Sequence, residues 1–211
     1  PKSWRVAPDS SRWQERLFNA IGPRSEWAAA LGVEYDLSLF RSGEEEAYNK
    51  SHVWISFADA SSHTETQVAG EEMTVVIGAE TGWARTASTF TAYPPDLCEK
   101  VRERVRVNLY RNLHLLASGA LRGVHVDESG DLRGVLPRGQ SFSLALNESG
   151  HPSEFKISPG SENEQLISYS AWQESGLISF AAKALRAGDS PSKQEQGGLI
   201  LLKELDSALF E

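Results

Sequence analysis

The sequence predicts an α+β fold: a mostly antiparallel sheet packed by one long amphipathic helix over about 95–117, with further helices at the N- and C-terminal ends. Three observations predict it. Leu97, Val101, Val105, Leu109, Leu113 and Leu116 recur at helical spacing and form one apolar stripe. Other stretches alternate apolar and polar residues with a period of two, the mark of strands with one buried face. The 211 residues, 40% of them hydrophobic and 24% charged, suffice for one α+β domain over 1–211 with a substantial core.

The elements follow in order. Ser11 and Gln14 have the spacing of a capping box, and Trp13, Leu17, Phe18 and Ile21 then give a helical face. Gly22-Pro23 breaks that helix, and Ser25 is placed to cap a second one running through Trp27 to Gly32. The period then changes to two. Val33, Tyr35, Leu37 and Leu39 alternate with polar residues, as do Val53, Ile55 and Phe57, and Met73, Val75 and Ile77. The polar segments between these strands, 41–51 and 58–70, read as exposed loops. A Thr- and aromatic-rich strand is expected over 83–93. Pro94-Pro95 opens the long helix and Gly119 suits the position just past its end.

Two hairpins follow, 121–126 with 132–136 and 142–146 with 154–157, each joined by a turn ending in Gly. Ser170 and Gln173 resemble a capping box before a helix containing Leu177, Phe180, Ala181 and Leu185 and ended by Gly188. Residues 187–198 then read as a polar linker, and 199–210 as a closing helix with Leu201, Leu202, Leu205 and Leu209 on one side.

The net charge of −8 is unevenly spread. Residues 1–33 carry +2, residues 34–80 carry −8, residues 81–138 carry +3 and residues 139–211 carry −5. An acidic chain is not drawn to nucleic acid by its net charge, although a local basic face still is. No apolar run approaches the roughly 18 residues of a membrane span, so no membrane partner is expected. Residues 1–5 lack the apolar core of a secretory signal, and the single cysteine, Cys98, allows no internal disulfide. The expectation is a cytoplasmic protein.

Several residues invite chemistry. On a strand, Glu154 and Lys156 project from one face, the arrangement by which nucleases hold a divalent cation and activate water. Such a site needs a second carboxylate, and only Asp131 and Glu148 are placed to supply one. Asp59, His63 and Glu65 crowd one loop without a metal-ligand spacing. Cys98 lies in the first helical turn, where the helix dipole favours a thiolate, but beside the apolar stripe. No Gly-x-Ser-x-Gly elbow and no phosphate-binding glycine loop occurs. Neither a metal nor a cofactor is expected.

What remains is a surface constellation. Trp83, Arg85, Phe90 and Tyr93 precede a helix flanked by Arg102, Arg104, Arg106 and Arg111, and Arg122, Arg133 and Arg138 follow it. Interleaved aromatics and arginines anchor protein interfaces, and they also stack bases and neutralise phosphates. The leading expectation is a non-catalytic intracellular binding or regulatory module acting through a protein partner or self-association. Its binding residues are Trp83, Arg85, Arg102, Arg104, Arg106 and Arg111. The alternative is a nucleic-acid-acting protein, either a reader through the basic helix or a metal-dependent nuclease through Glu154 and Lys156.

Overall fold

The computed structural model describes residues 10–41, 43–68, 70–187 and 191–211. Two sequence expectations, the missing signal over 1–5 and the helix stop at Gly188, lie outside the described residues. The chain begins with two helices, α1 (Ser10–Ile21) and α2 (Arg24–Ala29). Pro23, not Ser25, occupies the α2 N-cap position and makes no side-chain capping bond. Six strands follow: β1 (Gly32–Phe40), β2 (Asn49–Ser56), β3 (Ser62–Val68), β4 (Glu71–Ile77), β5 (Gly82–Arg85) and β6 (Phe90–Ala92). Helices α3 (Pro95–Arg106) and α4 (Leu109–Ala117) come next. The second strand series is β7 (Arg122–Val126), β8 (Leu132–Val135), β9 (Ser141–Leu146), β10 (Pro152–Ile157), β11 (Gln165–Ser175), β12 (Ile178–Arg186) and β13 (Ser192–Leu202). A 3-10 turn, Ser207–Phe210, follows the last strand.

All thirteen strands join one antiparallel sheet, in the order β6-β5-β4-β3-β2-β1-β13-β12-β11-β10-β9-β8-β7. It consists of two meanders stitched together by β1 and β13, with Val33 opposite Leu201 and Leu37 opposite Gln196. The helices α3 and α4 connect β6 to β7, the strands at the two ends of the sheet. The sheet curls around them. β4 and β8 stand nine strand spacings apart, about 40 Å along a flat sheet. Yet Arg102 of α3 bonds the Gly78 carbonyl after β4, while Glu99 of the same helix is bonded by Arg138 after β8.

The expected fold, a sheet packed by one long helix, is therefore wrong in three places. The 95–117 helix is two helices. Asn108 has an extended backbone, and its Oδ1 accepts from the backbone N–H of Tyr110 and Arg111, so it ends one helix and caps the next. Asn112 Nδ2 reinforces the break by donating to the carbonyls of Arg106 and Asn108. The stripe itself is used: Val105 and Leu109 are 7% and 2% exposed. Second, the expected helix over 170–187 is the β11–β12 hairpin. Ile178, Phe180, Ala182 and Ala184 are all buried, a period of two hidden in a run that also fits 3.6. Third, Ser192–Leu202, taken from the expected linker over 187–198 and the start of the expected closing helix over 199–210, form β13, and beyond it only Ser207–Phe210 is helical, as a 3-10 turn. Leu199 is fully buried in β13, and Gly197-Gly198 lies at the register shift against Glu34 and Asp36. The expected loop 58–70 likewise contains β3, whose Ser, Thr and Gln side chains gave no apolar alternation.

The core fills the concave side of the sheet. Leu17, Ile21 and Trp27 from the N-terminal helices meet Tyr110 and Leu113 of α4, over Phe57 just after β2 and Phe142, Phe155 and Ile157 of the strands. Close approach is strict at Gly82, where a Cβ would lie 2.7 Å from Cys98 Sγ and 2.8 Å from Ile77 Cδ1. Phenol hydroxyls are also enclosed. Tyr110 donates to the Ala181 carbonyl and to Gln196 Oε1, and Tyr35 packs edge-on against its ring at 6.0 Å. Burial pushes the Tyr35 phenol up to about 12 and also raises that of Tyr110 well above its ordinary value.

Candidate functional site

Strand register divides the residues of interest between two faces. Tyr35, Val53 and Ile55 point to the helices. Their neighbours Glu34, Trp54, His63, Val76 and Trp83 form one continuous row on the opposite face. The next row on that face is Asp36, His52, Glu65, Thr74, Arg85 and Phe90. Trp83 and Arg85 are thus separated by the sheet from the arginines of α3 and α4, with which the sequence grouped them. Trp83 stacks on Phe90 at 5.9 Å and donates from Nε1 to the Glu211 carbonyl. Phe90 is 65% exposed, and Arg85 is exposed beside it.

The helix arginines turn mostly inward. Glu99 collects them. Arg102 Nε lies 3.1 Å from its Oε2, Arg106 Nη1 lies 2.8 Å from Oε1, and Arg138 reaches Oε1 from the β8–β9 turn. The hydrogen bonds from Arg106 and Arg102, helped by the Arg106 charge and the Arg138 bond, hold the Glu99 carboxyl at about 2. Arg111 is buried and donates from Nε to the Phe57 carbonyl at 2.9 Å. Burial first, then the charge of Arg106, lowers its pKa. Arg104 alone of the four is exposed on its helix.

The remaining candidates are tied up locally. Glu154 and Lys156 lie on the outward face of β10 and bond each other at 3.2 Å. Ser143 stands opposite Lys156 and approaches Asp131 Oδ2 at 3.3 Å. Among the described residues no group of three or more His, Cys, Asp or Glu side chains is placed to hold a metal ion. Asp59 accepts from the Ser61 backbone N–H, whereas His63 Nδ1 is 2.8 Å from the Leu209 carbonyl oxygen of the C-terminal turn. Cys98 is fully buried against Gly82. His114 meets the Trp27 carbonyl oxygen, and His151 stacks on Trp172.

Sequence reasoning missed His52. Its Nδ1 lies 2.7 Å from Asp36 Oδ1 and its Nε2 lies 2.8 Å from Glu34 Oε1, so one imidazole bridges two carboxylates of the neighbouring strand. Burial pulls its pKa down, but the hydrogen bonds and charges of Asp36 and Glu34 outweigh burial and raise it. Trp54 is wedged between the rings of His52 and His63, at 4.2 and 5.0 Å. The alternation Glu34-x-Asp36 was legible. That His52 faced it depended on the β1–β2 register. Beside these rows is a cavity of about 490 Å³, lined by Leu37 and Met73 together with Asp36, Lys50, His52, Glu65 and Glu72.

No protein-family model and no curated protein sequence matches the chain. Solved structures do resemble it in fold. One is a LolA superfamily protein from Nitrosomonas europaea, with a TM-score of 0.55 and 11% identity, the match covering 98% of each chain. Another is a DUF1329 family protein from Desulfovibrio piger, with a TM-score of 0.53, 11% identity and 98% coverage of each. At this identity the likeness is one of fold: a large antiparallel sheet with a few short helices. No helix among the described residues is long and apolar enough to cross a membrane.

Proposed function

We propose that the chain is a non-catalytic binding module that holds a segment of a partner protein against β1–β4. The segment carries positive charge. The observation that carries this reading is the cavity of about 490 Å³, whose lining takes Asp36, Glu65 and Glu72 from the outward face of β1–β4 and only the edges of Leu37 and Met73, which register places on the face turned to the helices. Its acidic lining belongs to the 34–80 stretch, which carries −8 of charge. Complementary charge across such an interface raises the association rate and selects the partner. The state of the other candidate residues supports a non-catalytic role: Glu154 is paired with Lys156, and His52 has both ring nitrogens engaged. A nucleic-acid reading draws less support, since Arg102 and Arg106 converge on the single carboxylate of Glu99 and Arg111 is buried against the Phe57 carbonyl, so they form no extended basic face.

A basic amphipathic peptide of alternating Leu and Lys serves as the probe, titrated while tryptophan fluorescence is followed. Saturable binding is expected, weakened by added salt and by Glu65→Gln combined with Glu72→Gln. An acidic peptide of equal apolar content should not bind. Equal binding of the two peptides, or none of the basic one, overturns the proposal.

A further inference from the structure

The charge balance around Glu99 differs from that of an ordinary ion pair. Three guanidiniums converge on one carboxylate, leaving two positive charges uncompensated within the cluster. A carboxylate offers about four acceptor positions, and Glu99 receives bonds from Arg102 Nε, Arg106 Nη1 and Nη2, and Arg138 Nη1. Its acceptors are filled. The donors are not: each guanidinium carries five N–H groups. Beyond Glu99, among the described residues these three arginines make one further hydrogen bond, from Arg102 to the Gly78 carbonyl.

The cluster is also organised in advance. The Arg102 and Arg106 side chains are 10% and 17% exposed, held on consecutive turns of α3. Arg138 is 57% exposed and comes from the turn between β8 and β9, so it forms the open side. Fixed guanidiniums lose little freedom on taking up a ligand, and their planar forks match oxyanions bidentately.

We infer that Arg102, Arg106 and Arg138 form a binding site for a phosphate-monoester group, with Glu99 holding the guanidiniums in place when the site is empty. Such a group carries −1.5 to −2 of charge at neutral pH and three acceptor oxygens. Added to three arginines and one glutamate, it brings the cluster close to neutrality. A monovalent anion leaves a positive charge behind and has fewer oxygens to offer. The site lies on α3, on the other side of the sheet from Trp83 and His52, and is independent of the cavity at β1–β4.

Calorimetric titration of the full chain tests this, with inorganic phosphate and glycerol 3-phosphate as probes and nitrate as the monovalent control. Saturable binding of the phosphates and none of nitrate is expected. Arg138→Gln should weaken phosphate binding about tenfold, the loss of one charge-assisted bond. Arg106→Lys, which keeps the charge but not the fork, should also weaken it. Circular dichroism confirms that each variant is folded. Co-sedimentation with phosphatidylcholine vesicles containing phosphatidic acid identifies the source of the group. Binding to the vesicles that is lost in Arg138→Gln points to a lipid headgroup, and binding of the soluble phosphates alone points to a free metabolite. No saturable binding of any phosphate probe by the folded native chain overturns the inference. Phosphate binding unchanged in both variants does the same.

Discussion

His52 and Glu99 are opposites in charge. At His52 one imidazole lies between two carboxylates, and at Glu99 one carboxylate lies among three guanidiniums. The first sits on the face of β1–β4 turned away from the helices, in a stretch rich in acid. The second sits on a helix that closes the curled sheet. In each case the neighbours favour the charged form of the central group and outnumber it, which leaves the cluster a surplus of the neighbours' sign. A charged ligand meets a surplus at either cluster, not a neutral pair. The opposite signs also predict opposite responses to pH.

The largest expected difference is in stability. Arg102→Ala removes a buried donor and leaves the Gly78 carbonyl unpaired, which costs about 1–3 kcal/mol. His52→Ala disturbs a side chain one-third exposed and should cost within about 1 kcal/mol. Urea unfolding of both variants checks the ranking, and equal losses would break the comparison.

Acid comes next. The Glu99 carboxyl is held at about 2 against an ordinary 4.5. Its contribution is complete above 4.5 and is lost as pH falls through about 2, because the unfolded chain takes up the proton first. Glu99→Gln should flatten this acid limb in urea midpoints measured across that range. Asp127, also held at about 2 and bonded by Ser129 and Arg133, supplies the part that remains.

The alkaline side should behave in the reverse sense. With its pKa raised above 6.5, His52 contributes stability that is fully present below 6.5 and is lost as pH rises through the folded value. An NMR titration of the imidazole should give a midpoint above 6.5, and His52→Gln should remove the corresponding slope in stability. A midpoint below 6.5 would mean that burial outweighs the two carboxylates. The smallest effect belongs to the balanced pair. Lys156→Gln should change stability by within about 0.5 kcal/mol, and a larger loss would show that Glu154 and Lys156 do more than neutralise each other.

The legible parts of the sequence were those whose pattern is local. The strands at Val33–Leu39 and Met73–Ile77 showed their period of two, and the turns ending at Gly130 and Gly150 marked their hairpins. The buried state of Val105, Leu109 and Cys98 followed from one helical stripe. Illegible parts had either two patterns or none. Residues 177–185 satisfy both a helical and a strand period, and β3 satisfies neither because its inward residues are Ser62, Thr64 and Thr66. Of the candidate site, the residue types were visible but their company was not. Arg138 joins Arg102 and Arg106 across more than thirty residues, whereas Trp83 and Arg85, nearer in sequence, end on the far face of the sheet.

By itself the sequence determined the first helices, the strand-rich first half, the uneven charge and the type of residue available for binding. These depend on periodicity, turn chemistry and composition, which a chain carries regardless of its partners. Only the tertiary structure decided that Asn108 would divide the basic helix, that Gln165–Ser175, Ile178–Arg186 and Ser192–Leu202 would be strands, and that His52 and Glu99 would become centres of opposite surplus. Those outcomes depend on strand register and on the curl of thirteen strands around two helices. Register and curl are set by packing between segments distant in the chain, where burial outweighs local propensity.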